Sequence, residues 1–180
     1  MNKVIAIVGM CGSGKSIASD ILEKKGYEKV YFGGVTLDKL KENGLEINPE
    51  NEKMMREKLR ENLGMGAFAK ILLPKIKELA KAKDVVLDGL YSWDEYKILD
   101  HELGKNMITI AIVADKNIRY ERLKKREVRP LSKKEATNRD LAEIENIAKA
   151  PPIAYADYYI FNNGTLEEYE ERLDEILKKI

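Results

Sequence analysis

The chain has 180 residues, 44% of them apolar and 35% charged, with a formal net charge of +1. That length suits one domain with a full hydrophobic core. Near-balanced charge without a long basic block argues against nucleic acid as the main partner. The single cysteine, Cys11, excludes an internal disulfide and a cysteine-rich zinc site. No apolar run approaches the ~20 residues that a membrane-spanning helix requires, so the expectation is a cytoplasmic protein without a membrane partner.

The stretch KVIAIV, residues 3–8, is short, β-branched and apolar on both faces, as a strand inside a parallel sheet is. Residues 15–25 follow as a helix with Ile17, Ile21 and Leu22 on one face and Gly26 as its stop. Further strands are expected at KVYF (29–32), DVVLD (84–88), MITIAIV (107–113) and YYIF (158–161). Three helix starts carry a hydroxyl residue with Glu three positions later: Ser92/Glu95, Ser132/Glu135 and Thr165/Glu168. Asp115 is the expected cap of the helix that starts KNIRYERLKKR.

Strands alternating with helices imply parallel pairing, right-handed crossovers and helices on both faces. The expectation is therefore a three-layer α/β/α domain spanning residues 1–180 with a five-stranded parallel sheet. Two stretches exceed a minimal sheet unit: 36–81, helical without a strand, and 128–152, a charged helix between basic and proline-containing turns. Both read as insertions able to close over a ligand at the strand ends.

The loop GMCGSGKS, residues 9–16, fits G-x-x-x-x-G-K-[ST] at every fixed position, between the first strand and the first helix. Glycines let successive backbone N–H groups turn inward towards phosphate oxygens, and the helix adds its positive N-terminal end. Gly9, Cys11, Gly12, Ser13, Gly14, Lys15 and Ser16 are thus the expected ATP phosphate site. Lys15 reaches the β- and γ-phosphates, and Ser16 ligates Mg²⁺. Within the loop Cys11 reads as a small filler and not as a nucleophile.

Asp88 ends the third expected strand. It either serves the reaction, holding Mg²⁺ or taking a proton from an attacking hydroxyl, or caps the turn that Gly89 begins. Arginines recur at helical spacing: Arg56 and Arg60 in the first insertion, Arg119, Arg122 and Arg126 before the second, and Arg129 and Arg139 within it. Guanidinium groups match the charge spread over a migrating phosphoryl group, while a single surface arginine is as a rule merely solvated. Arg56 and Arg60 are the candidate acceptor grip, with Tyr91 beside them. Tyr91 and Trp93 either stack on a base or pack in the core. His101, the only histidine, reads as a surface or capping residue.

With these motifs the chain resembles the P-loop nucleotide kinases, and most of all dephospho-CoA kinase and its relatives. The likeness lies in the phosphate loop, in ADYYIFNNGTLEEYEERL (156–173) and in RYERLKKREVRP (119–130). It implies a sheet order 2-3-1-4-5, an adenine site near Asn162, Asn163 and Gly164, and a clamp on ATP by Arg122 and Arg126, the latter catalytic with Lys15 and Asp88. After the second strand the chain departs from it. Gly33 and Gly34 stand where those kinases place acidic residues, with Thr36 and Asp38 only later, and Asp88-Gly89 lacks the arginine of adenylate-type kinases. The expected activity is ATP-dependent transfer of the γ-phosphate to a nucleotide-like acceptor, a nucleoside monophosphate ahead of dephospho-CoA. The alternative is a nucleotide-dependent switch acting on a protein partner.

Overall fold

The computed structural model describes residues 1–180. In chain order it places β1 (Val4–Val8), α1 (Lys15–Lys24), β2 (Glu28–Tyr31), α2 (Phe32–Glu42), α3 (Pro49–Leu63), α4 (Ala67–Ala82), β3 (Val85–Asp88) and α5 (Trp93–Leu103). A 3₁₀ turn (Gly104–Asn106) leads to β4 (Met107–Val113), α6 (Lys116–Lys124), α7 (Lys133–Ile147), α8 (Ala150–Ala154), β5 (Tyr158–Phe161) and α9 (Leu166–Leu177). The five strands form one sheet in the order β2-β3-β1-β4-β5, and every pairing is parallel.

All five residues of β1 are buried, because alternate side chains serve opposite faces of the sheet. Val4, Ala6 and Val8 join the larger core with residues of α2, α3, α4 and α5. Ile5 and Ile7 join a second core with Ala18 and Leu22 of α1 and Tyr169, Leu173 and Ile176 of α9. A parallel strand with no polar face needs helices above and below it, and the result is a three-layer α/β/α sandwich. No helix is long and apolar enough to cross a membrane.

Each of the three hydroxyl/Glu pairs forms a complete capping box, at the starts of α5, α7 and α9. Two local expectations are corrected. The second strand ends at Tyr31, not at residue 32, since its partner β3 ends opposite it at Asp88. Gly89 then turns away with φ +99°, leaving Phe32 without a neighbour to pair with. Phe32 instead opens α2, and Gly33 and Gly34 lie in its first turn. At α6, Asp115 occupies the cap position, but its carboxylate bonds no helix N–H. Its own N–H donates to Asn163 Oδ1 at 2.9 Å, tying the end of β4 to the turn after β5.

From β1 the chain runs out through β2 and β3 on one side, then crosses to β4 and β5 on the other. Connections leaving a central strand in opposite directions open a crevice at its carboxyl end. The glycine loop sits at that place.

Candidate functional site

A loop whose N–H groups face a ligand turns its carbonyls into the protein, and those carbonyls need donors. Three distant side chains supply them. Arg119 Nη1 donates to the Cys11 carbonyl at 2.9 Å, Asn162 Nδ2 to Ser13 at 2.8 Å, and the Tyr169 hydroxyl to Gly14 at 3.0 Å. The loop is thus held from α6, from the end of β5 and from α9. Gly14 has φ +103°, and a Cβ there would stand 2.3 Å from Asn162 Nδ2. At Gly9, φ +149°, it would meet the Ile112 carbonyl at 2.4 Å. Only glycine permits both the turn and the close packing.

Lys15 folds back on the loop, donating from Nζ to the Met10 carbonyl at 3.0 Å. Burial, helped by the nearby Lys149 ammonium, lowers its pKa to about 7, against the pull of Cys11, Glu143 and Asp88. A lysine so destabilised as a cation gains from an arriving phosphate. Ser16 is exposed at the mouth of the crevice and lines one cavity of about 520 Å³ with Glu23, Lys29, Tyr31 and Asp88.

Asp88 is 8% exposed. Burial raises its pKa, opposed by Lys29 and Lys15. Lys29 Nζ lies 4.0 Å from Asp88 Oδ2, 2.5 Å from Asp20 Oδ1 and 3.6 Å from Glu23 Oε2. Burial would lower this lysine, but Asp20, with help from Asp88 and Glu23, raises it, so it stays charged beside Asp88.

On the other side of the loop α6 and α7 form a small cluster around Cys11, with Tyr120, Leu123 and Ala136. Arg119 makes a two-pronged pair with Asp140, at 3.0 and 2.6 Å, and the Tyr120 hydroxyl adds a bond to Asp140 at 3.1 Å. At the end of α7, Glu143 accepts from Arg139 Nε at 3.1 Å and from Lys149 Nζ at 2.6 Å. Lys149 Nζ also stands 4.9 Å above the Tyr91 ring.

A family described as AAA domain matches residues 5–147. A UPF0200 protein of Thermococcus onnurineus is 37% identical over 181 residues, covering 98% of this chain and 97% of that one. The chain belongs to the AAA domain family and to the UPF0200 proteins. Among solved structures, a Thermus thermophilus protein superposes with TM-score 0.66 at 20% identity, over 99% of this chain and 98% of that one. Shikimate kinase from Bacteroides thetaiotaomicron does so with TM-score 0.59 at 14% identity, over 98% and 97%. At such identities the likeness is one of fold, here a P-loop kinase-like fold.

Within this AAA domain the arginines read from spacing separate into different settings. Arg119 is committed to Asp140 and the loop. Arg122, half-buried, reaches Asn162 Oδ1 at 3.4 Å and keeps Nη1 buried without a partner. Arg126 lies just past α6, exposed, and forms no hydrogen bond or ion pair. Arg56 pairs with Glu52 at 3.4 Å, and Arg129, with φ +54°, reaches the same Glu52 from the other insertion at 2.9 Å. Arg60 lies over the Phe68 ring at 5.5 Å, its Nε buried and unpartnered.

Asn162 is buried, and its amide serves Ser13 and Arg122. Asn163 holds Asp115, and Gly164 packs against the Glu168 carboxylate. Trp93, half-buried, stacks on Tyr96 at 5.0 Å with Tyr155 edge-on, so its ring takes part in packing. His101 is exposed on the last turn of α5.

Sequence reasoning missed Lys29, Lys149, Glu143 and Asp140. Each is one charge among many in a chain 35% charged, and spacing along the chain does not show which charges become buried. The weak signal for Lys149 is its position just before Ala150-Pro151-Pro152, where proline in a first helical turn ends one helix and opens the next, α8.

Proposed function

We propose that the protein is an ATP-dependent phosphotransferase that moves the γ-phosphate of ATP to a nucleotide-like small acceptor, a nucleoside monophosphate ahead of dephospho-CoA. One observation carries this reading: the phosphate loop, with Lys15 folded back on it, and Asp88 meet at one crevice, Ser16 and Asp88 lining the same cavity. Phosphoryl transfer needs little covalent help from a protein and much positioning and charge stabilisation. A binding loop, a buried carboxylate and several cations answer that need.

A hydroxyl from Ser16 and a carboxylate from Asp88 fit Mg²⁺ that completes its shell with water and phosphate oxygens, not a cage made wholly of protein. No group of three or more His, Cys, Asp or Glu residues gathers as a cage would. When bound, Mg²⁺ neutralises charge on the phosphates. Lys29 keeps the Asp88 charge balanced at 4.0 Å. The loop residues Gly9 to Ser16 take the phosphates, and Arg122 and the Asn162–Gly164 turn border the nucleotide side. The insertions 36–81 and 128–152 are the acceptor-side and nucleotide-side lids.

For the acceptor, the half-buried Arg60 has donor capacity to spare, and Arg56 can leave Glu52 for a stronger anion. A monophosphate, ionised at neutral pH, suits such a grip. The deciding experiment offers ATP-Mg²⁺ with a panel of nucleoside monophosphates and dephospho-CoA, following products and phosphate release together. Phosphorylation of a monophosphate supports the reading, and dephospho-CoA alone would move the acceptor. Hydrolysis without transfer to any acceptor would favour the nucleotide-dependent switch.

A further inference from the structure

Two cations in the segment after β4 answer to one carboxylate beside the phosphate loop. Glu143 is 12% exposed at its side chain and Lys149 3%. One Glu143 oxygen accepts from Lys149 at 2.6 Å and the other from Arg139 at 3.1 Å. This costs the backbone something: α7 ends at Ala148 with φ +49°, a left-handed position that penalises alanine. That turn brings the Lys149 N–H to the Glu143 carbonyl at 3.1 Å and folds the lysine back over the helix end.

The group lies over the crevice. Lys149 Nζ is 4.9 Å from the centre of the Tyr91 ring. That ring packs on Gly89, where a Cβ would come within 3.1 Å of it, directly after Asp88. Lys149 and Glu143 are also among the charges that act on Lys15, the first lowering its pKa and the second raising it. Two donors converging on two oxygens of one anion is the arrangement that a terminal phosphate also satisfies.

We propose that Lys149 and Arg139 are the cations that grip the terminal phosphate of bound ATP, and that Glu143 is an exchangeable counter-ion holding their place in the nucleotide-free protein. The inference rests on the phosphotransferase reading. Glu143 is a positioning residue in this scheme: it keeps Lys149 buried and Arg139 aimed without a phosphate present, and it must release them when ATP arrives. Burial would push its carboxyl up, but Lys149 and Arg139 hold it low, so it is charged and able to do this at neutral pH. ADP lacks the phosphate that displaces it.

The test is calorimetric titration of the 180-residue chain with Mg²⁺ and either β,γ-imido-ATP or ADP. Glu143→Gln keeps the shape and removes the competing charge, so it should tighten the ATP analogue about fivefold or more while changing ADP less than about twofold. Lys149→Met should weaken the analogue about tenfold and leave ADP nearly unchanged, with Lys149→Arg restoring most of the loss. Thermal melts establish that each variant folds, and the analogue-to-ADP ratio within one protein is insensitive to a general loss of stability. If Glu143→Gln shifts both nucleotides equally, or neither, the exchange is refuted. If the wild-type protein binds neither nucleotide, the phosphotransferase reading itself is what fails.

Discussion

Replacing Asp140 by asparagine tests how the phosphate loop is supported. The side chains of Arg119 and Asp140 are 8% and 9% exposed, and the pair is joined at 3.0 and 2.6 Å with Tyr120 adding a third bond. Burial alone would lower the Arg119 pKa, and Asp140 more than offsets that. Asp140→Asn keeps the volume but strands a buried guanidinium, at a cost of about 3–5 kcal/mol. Unfolding entropy of ~2.1 cal/mol/K per residue gives ~0.4 kcal/mol/K for a chain of this length, so the melting temperature should fall by about 8–13 °C. Differential scanning calorimetry at low and moderate salt measures it, and salt should matter little because the pair is buried.

The double variant Arg119→Met/Asp140→Leu leaves no orphaned charge and should recover much of the loss. It also removes the donor to the Cys11 carbonyl, so nucleotide affinity should stay low while stability returns. A fall of less than about 2 °C for Asp140→Asn, far below the calculated loss, or a double variant no more stable than the single one, would refute the buried-pair argument.

Lys15, lowered from 10.5 to about 7, is largely neutral at pH 8 and should regain its proton when phosphate arrives. Nucleotide binding should therefore take up a proton and weaken as pH rises above 7; equal calorimetric enthalpies in buffers of different ionisation enthalpy would contradict this. Asp88→Asn should leave nucleotide affinity within about an order of magnitude and cut turnover about a hundredfold. An unchanged rate at every magnesium concentration would reduce Asp88 to a structural residue. Arg60→Ala should worsen the KM or kcat for the acceptor about tenfold with ATP binding intact. Arg56→Ala should do less, because Arg56 is already engaged by Glu52; the reverse ranking in steady-state assays would displace Arg60 from the acceptor site.

The strands, the glycine loop and the three capping boxes were legible in the sequence because their causes are local. β-branched runs, a glycine spacing and a hydroxyl three residues before Glu act over one turn or one strand. The sheet order entered by resemblance alone, and the sheet has that order. The end of the second strand falls one residue short of its apolar run, since it depends on where β3 stops, far along the chain.

The settings of the charged residues were decided by tertiary structure alone. Spacing put Arg119, Arg122 and Arg126 on one helical run, yet the fold buries the first against Asp140, half-buries the second beside Asn162 and leaves the third exposed. Asn162 stands 149 residues from the Ser13 carbonyl it supports, and Tyr169 stands 155 from Gly14. What a charge or an amide does depends on its distance to a partner and on the water excluded between them. Both are fixed only when the sheet brings the ends of β1, β3 and β5 to one crevice.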